Sequence, residues 1–362
     1  MKLVSLPQLN AIFKAYLDQD KIANPVFSAS KESLTGLVNK IFAEVFLDGD
    51  YEEGLGFMDG FKVEVGNTIE EWFINFVSPE DYDDTGATDR APARPNYQKA
   101  TYSERLGRKK FKTTVDMGTI QKAFSDRESY DRLIMSITKR LYDSLTLYLN
   151  DCKRHLIGTV CAKLESVATD TAFAKGTAYK AGDRVQGGVI LEDMTTSQNT
   201  YNTLTDAVKA GKAVALDLVT SIAVPANAET GEAFIKSVKD YVAKFMKPRS
   251  GYSLNGNIAG KGTYKLYVKE GILPSIEVDT MAGAFNQDKL AFGVPVVEVT
   301  DFGDNANVFA MLVDTRGIRV SNVEKIATSQ MNGEGAFVNY YIHERPLAHW
   351  SPNVKTHVWN AQ

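Results

Sequence analysis

A very long predicted helix constrains this chain more than any other feature of its sequence. Between Phe111 and Glu165 the residues follow helical spacing, and Ser125 with Glu128 forms a capping box that marks the start of the regular pattern. After the capping box only Gly158 interrupts the apolar pattern, and one glycine weakens a helix without ending it. At about 1.5 Å per residue the helix would span roughly 60 Å, which predicts a structural strut. The apolar residues at helical spacing are Tyr130, Leu133, Ile134, Ile137, Leu141, Leu145, Tyr148, Cys152, Leu156, Val160 and Leu164.

The segment before this helix, residues 66–114, carries its charges in two separate blocks. Trp72, Ile74 and Phe76 first alternate as in a half-buried strand. An acidic block without bases follows, and it consists of Glu80, Asp81, Asp83, Asp84 and Asp89. A predominantly basic block comes next, and it consists of Arg90, Arg94, Lys99, Arg105, Arg108, Lys109, Lys110 and Lys112. The pattern predicts an extended hairpin with limbs of opposite charge, which has too little apolar surface to form a core of its own.

The composition indicates an ordinary globular chain. It has 362 residues, 44% apolar and 24% charged, with a formal net charge of −4. No apolar stretch is long enough to span a membrane, and the first residues lack a secretory signal. The net negative charge argues against a dedicated nucleic-acid binder. Cys152 and Cys161 lie nine positions apart on the long helix, and this spacing predicts two buried thiols that share neither a disulfide nor a metal.

The remaining pattern mixes helices and strands and predicts an α+β protein with an α/β subdomain. Helices are predicted at residues 7–17, 30–47, 198–209, 230–247 and 280–290. Strands are predicted at residues 61–65, 213–219, 264–268, 294–299, 308–313, 318–320 and 337–342.

The sequence contains no recognisable catalytic, metal-binding or cofactor-binding set. The nearest candidate is the glycine-rich stretch at 256–263, which would have to bind phosphate. It has three residues between Gly256 and Gly260 where a phosphate-binding loop has four, and Gly262 follows Lys261 where a hydroxyl residue is required. We therefore interpret the stretch as a loop, and a phosphate-binding α/β enzyme remains an alternative hypothesis.

The charged hairpin is the best candidate for a binding surface. Few aromatic residues accompany the basic block, and the acidic block would repel phosphate, so contact between subunits is favoured over nucleic-acid binding. The candidate contact residues are Trp72, Ile74, Phe76, Glu80, Asp81, Asp83, Asp84, Arg90, Arg94, Lys99, Arg105, Arg108, Lys109 and Lys110.

The order of these elements resembles one known family, the tailed-bacteriophage major capsid proteins with the Hong Kong 97-like (Johnson) fold. Within that family the chain is most similar to the head proteins of phi-29-type short-tailed phages. The matching parts are the entry to the charged hairpin, the long helix from Ser125 onward, and a stretch near the end of the chain. The two short motifs are Gly66-Asn67-Thr68-Ile69-Glu70-Glu71 and Asn339-Tyr340-Tyr341-Ile342-His343.

The resemblance implies a domain organisation. Residues 1–60 would form an N-terminal arm, 61–116 the extended E-loop, 117–196 the P-domain with its spine helix, 197–300 the A-domain, and 301–362 strands that return to the P-domain. If the spine helix bends in a precursor shell, Gly158 is the predicted place.

The resemblance also implies a function. The chain would be a non-catalytic head protein that assembles in the host cytoplasm into pentamers and hexamers of an icosahedral virion shell around double-stranded DNA. Its expected partners are other copies of itself, a separate scaffolding protein, a portal protein and weakly bound DNA, with no membrane and no cofactor. A cellular nanocompartment shell of the encapsulin type is an alternative with the same fold.

Overall fold

The fold was analysed in a computed structural model. The structure describes residues 55–60, 70–74, 97–101, 103–116, 127–274, 292–303 and 305–362. Several predictions therefore fall outside the described residues, namely the capping serine at 125 and the elements predicted at 7–17, 30–47, 61–65 and 280–290.

The helices and strands are numbered here in chain order. The helices are α1 (Arg127–Glu165), α2 (Leu204–Lys209) and α3 (Ala228–Phe245). The first strands are β1 (Glu70–Ile74), β2 (Tyr97–Thr101), β3 (Ser103–Arg105), β4 (Lys109–Asp116), β5 (Arg184–Val185), β6 (Gly188–Ile190) and β7 (Ala213–Ala215). The later strands are β8 (Val219–Ile222), β9 (Tyr264–Lys269), β10 (Val296–Val299), β11 (Val308–Asp314), β12 (Ile318–Asn332), β13 (Phe337–Trp350) and β14 (Thr356–Ala361).

The long helix is confirmed, although it is shorter at its start than predicted. Helix α1 has 39 residues and ends at Glu165. It does not extend back to Phe111, because residues Lys109–Asp116 form strand β4. From Lys110 to Val115 the side chains of β4 alternate between exposed and covered, and Val115 is fully buried, which is the pattern of a strand with one covered face. Both cysteines of α1 are buried, as predicted, and neither forms a disulfide.

The chain divides into two compact units. Among the described residues, the first unit contains Lys109–Thr146 and Lys325–His343, and the second contains the rest. In the first unit β13 pairs with both β4 and β12. Strands β12 and β13 extend well beyond the predicted segments 318–320 and 337–342, since the prediction followed apolar residues only.

A five-stranded mixed sheet forms the centre of the second unit, in the order β10-β9-β11-β14-β8. Every residue of β11 is buried, because both faces of the sheet are covered. Met311 and Val313 pack with the C-terminal half of α1, whereas Phe309 and Leu312 pack with α3. Strand β14 was missed by the sequence analysis, although it lies inside this sheet.

In the α/β region some predicted helices and strands are confirmed and others are wrong. The predicted strands at 264–268, 294–299 and 308–313 correspond to β9, β10 and β11, and the predicted helix at 230–247 corresponds to α3. The predicted strand at 213–219 is wrong as a single element, because β7 and β8 belong to different sheets.

Helix α2 is much shorter than the predicted helix at 198–209. It begins after Thr203, whose hydroxyl accepts a hydrogen bond from the Asp206 amide while the Asp206 carboxylate accepts one from the Thr203 amide. Upstream, the side-chain amide of buried Asn199 donates to the carbonyls of Ala174 and Thr177, so this stretch is held as a turn.

A small third cluster forms around strands β5, β6 and β7. Its buried residues include Val185, Ile190, Met194 and Ala213. The predicted boundary between the P-domain and the A-domain, at 196/197, falls inside this cluster. The domain bounds implied by the resemblance remain predictions.

A buried lysine hydrogen-bonds to the C-terminal end of helix α3. The Lys355 ammonium group donates to the carbonyls of Phe245, at 2.8 Å, and Lys247, at 2.6 Å. Carbonyls at the end of a helix lack partners within the helix, and a cation there also interacts favourably with the helix dipole. Burial lowers the pKa of Lys355 from its usual value. Lys355 directly precedes β14, so its side chain links the start of β14 to the C-terminal end of α3.

Gly158 lies where a loop approaches α1 closely. A Cβ atom built on Gly158 would lie 2.8 Å from the carbonyl oxygen of Phe302 and 3.2 Å from the Cα of Gly303. The side-chain amide of Asn305 donates to the carbonyl of Gly158 at 2.6 Å. The described helix continues through this position, so glycine here provides the space for the loop.

Candidate subunit-contact site

The base of the charged hairpin is the best described part of the candidate contact site. Strands β1 and β2 pair antiparallel, with Trp72 opposite Lys99 and Ile74 opposite Tyr97. This pairing confirms that the chain returns on itself across the predicted hairpin. The hairpin tip lies outside the described residues, and with it Phe76, Glu80, Asp81, Asp83, Asp84, Arg90 and Arg94.

Strand β1 has one attached face and one exposed face. On the attached face, the Ser351 hydroxyl donates to a carboxylate oxygen of Glu71 at 2.6 Å, and Phe73 is half-buried. On the other face, Trp72 is 56% exposed and Ile74 is 66% exposed. Large apolar side chains in adjacent exposed positions are unusual on a chain that acts alone. Their role as anchors on a neighbouring subunit remains a prediction.

The structure distributes the described basic residues over several strands. Lys99 lies on β2, and Arg105 lies on β3 opposite Leu347 of β13. The Arg108 guanidinium donates to Glu324 at 2.6 Å, with both side chains partly exposed. Exposed ion pairs of this kind contribute about 0–1 kcal/mol, so Arg108 is free to exchange partners at little cost.

The basic residues of β4 lie beside an aromatic side chain of β13. Lys109 and Lys110 are exposed, as is Lys112. The ammonium groups of Lys110 and Lys112 lie 5.7 and 5.9 Å from the centre of the Tyr341 ring. At this range a cation and an aromatic ring attract each other weakly. The sequence indicated the basic residues, but only the pairing of β4 with β13 brings Tyr341 next to them.

The glycine-rich stretch at 256–263 does not form a phosphate-binding loop. The Gly262 amide donates to the Tyr264 hydroxyl at 3.1 Å, and the Gly256 amide donates to the Ser253 carbonyl at 2.9 Å. A phosphate-binding loop needs such amides to point together at the ligand. Because these amides bond within the chain, the phosphate-binding alternative is not favoured.

One internal polar network contains the residue types of a catalytic cluster. The His357 ring stacks on Tyr241 with the ring centres 3.6 Å apart, and its nitrogens lie 3.2 Å from the Asp217 carbonyl and 3.0 Å from the Thr220 hydroxyl. Because a carbonyl can only accept, Nδ1 carries the proton and Nε2 accepts from Thr220. Burial lowers the pKa of His357 to about 3 and raises the pKa of Tyr241.

This network joins three elements of the second unit. Tyr241 lies on α3, Thr220 on β8 and His357 on β14, and the Tyr241 hydroxyl also donates to the Asp217 carboxylate at 2.7 Å. A neutral, fully buried histidine and a tyrosine with a raised pKa are poorly suited to proton transfer near neutral pH. The arrangement stabilises the fold.

Two absences hold for the described part of the chain. Among the residues that the structure describes, no group of His, Cys, Asp and Glu side chains is arranged to hold a metal ion. Within the same ranges, no helix combines the length and the apolar character needed to cross a membrane.

The fold defines the class of protein. The chain is similar to a chain in the capsid structure of Staphylococcus phage Andhra, with a TM-score of 0.60 and 10% identity, covering 89% of this chain and 88% of that one. It is also similar to a chain in the capsid of the cyanophage P-SCSP1u, with a TM-score of 0.52 and 8% identity, covering 93% and 99%. These similarities confirm the predicted α+β fold of phage capsid proteins.

The sequence identifies the family within this class. A family model described as Phi29-like phage major capsid protein matches residues 2–359. The chain is also 23% identical over 318 residues to the major capsid protein of Bacillus phage B103, covering 87% of this chain. The chain spans 60% of the length of that relative. This chain belongs to the Phi29-like phage major capsid protein family. Membership confirms the predicted resemblance and the predicted location in the virion capsid.

Proposed function

We propose that this chain is a non-catalytic shell subunit that assembles into pentamers and hexamers of an icosahedral phage head around double-stranded DNA. The observation that carries the proposal is the family match over residues 2–359, which includes nearly every element described above. Assembly would take place in the host cytoplasm, and the product would be the capsid of the virion.

The exposed face of β1 supports a role in contact between copies. Trp72 and Ile74 offer apolar surface that this chain leaves in solvent. A buried aromatic anchor typically supplies much of the binding energy of an interface, while surrounding charges set partner and register. We therefore assign Trp72 and Ile74 to the anchor, and the charged limbs of the hairpin to register.

The other partners follow from the resemblance and from charge. A net charge of −4 suits a container that touches packaged DNA weakly and does not retain it. A separate scaffolding protein and a portal protein are further proposed partners. The nanocompartment alternative is not favoured by the phage relatives, and a packaged protein in place of DNA in purified particles would support it.

Assembly with point variants tests the anchor. Wild-type protein and a Trp72→Ala/Ile74→Ala variant would be expressed with and without a candidate scaffolding protein and examined by negative-stain electron microscopy. We expect shells from the wild type, and a folded variant with an unchanged circular dichroism spectrum that forms few or none. Val224→Ala, which shortens an exposed side chain elsewhere, is the control and should assemble normally. A wild type that stays monomeric in every condition would contradict the proposed function.

A designed hairpin truncation tests the role of the limbs separately. Because Ile74 pairs with Tyr97, residues 75–96 can be replaced by a short Asn-Gly turn without removing β1 or β2. We expect this variant to fold and to lose shell formation. Normal shells from it would refute the role assigned to the charged limbs, while leaving the shell function itself standing.

A further inference from the structure

The outer half of β12 is an exposed sheet edge. Within the first unit, Lys325–Asn332 pairs with β13 on one side, and among the described strands none pairs with it on the other. Each side chain in this part of β12 is exposed, including Ile326 at 44% and Met331 at 71%. The high exposed fractions of these side chains agree with an edge that no described strand covers.

Beyond Lys325, the edge lacks the features that usually protect one. Natural sheet edges are guarded by lysines, prolines, bulges or short strands, because an open edge is a template for another strand. Between Lys325 and Glu334 the sequence is Ile-Ala-Thr-Ser-Gln-Met-Asn-Gly, with no charge and no proline. A run of this composition pairs readily with an identical strand.

The helix beside this edge also exposes apolar side chains. The Lys325 ammonium group lies 5.7 Å from the centre of the Tyr142 ring, so α1 and β12 are neighbours here. Tyr142 is partly exposed, and Met135, two helical turns earlier on the same side, is 70% exposed. Exposed apolar side chains on two adjacent elements indicate a surface that a partner covers.

We propose that this edge pairs antiparallel with the same edge of a second copy, across a two-fold axis, so that the β13–β12 sheet continues from one copy into the next. The inference rests on the proposed function, which requires contacts between copies, and it names one of them. It adds a contact distinct from the hairpin anchor.

The absence of charge on this edge favours a second copy of the same edge as its partner. A two-fold axis sets identical strands side by side, so a charged run would repel itself. Any antiparallel register centred between Ala327 and Gln330 leaves no two like charges opposite each other within the strand. An acidic segment would instead be attracted to a basic edge, and residues 326–332 carry no charge.

Disulfide trapping tests the pairing. Ala327, Thr328, Ser329 and Gln330 would each be replaced by cysteine, and the protein oxidised both in assembled particles and as concentrated unassembled protein. The native cysteines are buried, so the background is low. We expect covalent dimers from one or two neighbouring positions, and none from the exposed control Thr196→Cys.

Charge swapping then identifies the partner. In an antiparallel pair centred on the best trapping cysteine, the residue two positions before it lies opposite the residue two positions after it in the other copy. Lysine at both of these positions, or glutamate at both, should lose the covalent dimer, and a mixture of the two variants should restore it. With Thr328→Cys as the trapping cysteine, these variants are Ile326→Lys/Gln330→Lys and Ile326→Glu/Gln330→Glu, and Ile326→Gln is the uncharged control that should form dimers like the parent. Restoration requires that the two edges face each other, so dimers that are lost in the lysine and glutamate variants and not restored by mixing would overturn the self-pairing.

The outcomes separate this inference from the proposed function. Shells of normal appearance with no dimer from any of the four cysteines would overturn the β12 pairing and leave the shell function intact. Failure of the wild type to form shells would contradict the shell function, while trapping in the unassembled protein would still decide the pairing.

Discussion

Replacing Gly158 by alanine separates two explanations of a glycine in the middle of a long helix. If Gly158 is only a flexible point of α1, alanine should stabilise the protein by about 1 kcal/mol, the difference in helix propensity. If the glycine makes room for the loop that crosses the helix, alanine should destabilise it. The two explanations therefore differ in sign.

The geometry favours destabilisation. The new Cβ would lie 2.8 Å from the Phe302 carbonyl oxygen and 3.2 Å from the Gly303 Cα, both of them backbone atoms. The loop is also bonded to the helix, because Asn305 donates to the Gly158 carbonyl and to the Phe302 carbonyl. Overpacking a tight contact costs about 1–3 kcal/mol, which equals or exceeds the propensity gain. We expect a net loss of up to about 2 kcal/mol for Gly158→Ala, and a larger loss for Gly158→Val.

Urea unfolding of the unassembled protein, followed by circular dichroism, measures this difference. Gly260→Ala is the matched control, since its Cβ would meet nothing within 4 Å. It should change the free energy of unfolding by no more than about 0.5 kcal/mol. A Gly158→Ala variant at least as stable as the wild type would refute the close-approach argument and restore the flexible-point reading.

Two further predictions concern buried ionisable groups. Lys355→Met should reduce the free energy of unfolding by about 1–3 kcal/mol, because it removes a donor from the Lys247 carbonyl and from the Phe245 carbonyl, which also accepts from the Tyr264 hydroxyl at 3.2 Å. The exposed Lys236→Met should have no measurable effect. Burial lowers the pKa of His357 from 6.5 to about 3, so below pH 6.5 the unfolded chain binds a proton that the folded chain does not. Stability should therefore fall as the pH drops towards 3, by up to about 1.4 kcal/mol per pH unit from this group. Urea unfolding between pH 4 and 7 should show that slope reduced in His357→Gln relative to the wild type.

The elements that the sequence predicted best are those whose apolar pattern matches their burial. Helix α1 and helix α3 each place a regular apolar face against a core, so helical spacing located them. Strand β11 is a continuous apolar run because both of its faces are covered, and such a run is visible without knowledge of its neighbours.

The strands that were not predicted from the sequence are defined by their pairing with other strands. The outer part of β12 is polar and exposed, and only its hydrogen bonds to β13 make it a strand. Residues 213–219 read as one strand because the apolar residues continue, yet Asp217 lies where the chain passes from the β5-β6-β7 sheet to the five-stranded sheet. Pairing partners distant in sequence leave no local signal, and the same limit applies to strand β14.

At the candidate contact site, too, local patterns were predictable and contacts between distant residues were not. Alternation predicted that Trp72 and Ile74 share a face of a strand, and in the structure that face is the exposed one. The sequence could not predict that Arg108 pairs with Glu324, because the two are 216 positions apart. Nor could it predict that Tyr341 lies beside the lysines of β4.

Burial along α1 explains why a chain of this kind leaves so much apolar surface open. The C-terminal half of the helix is fixed by the core of the second unit, where Ile157, Val160 and Cys161 are fully buried and Gly158 admits a loop. In the first unit the same helix exposes Met135, and β12 exposes Met331. A chain selected to act alone would bury or replace such residues, since exposed apolar surface promotes association. Such exposure fits the proposed shell function, in which the surfaces that one copy leaves open are covered by other copies.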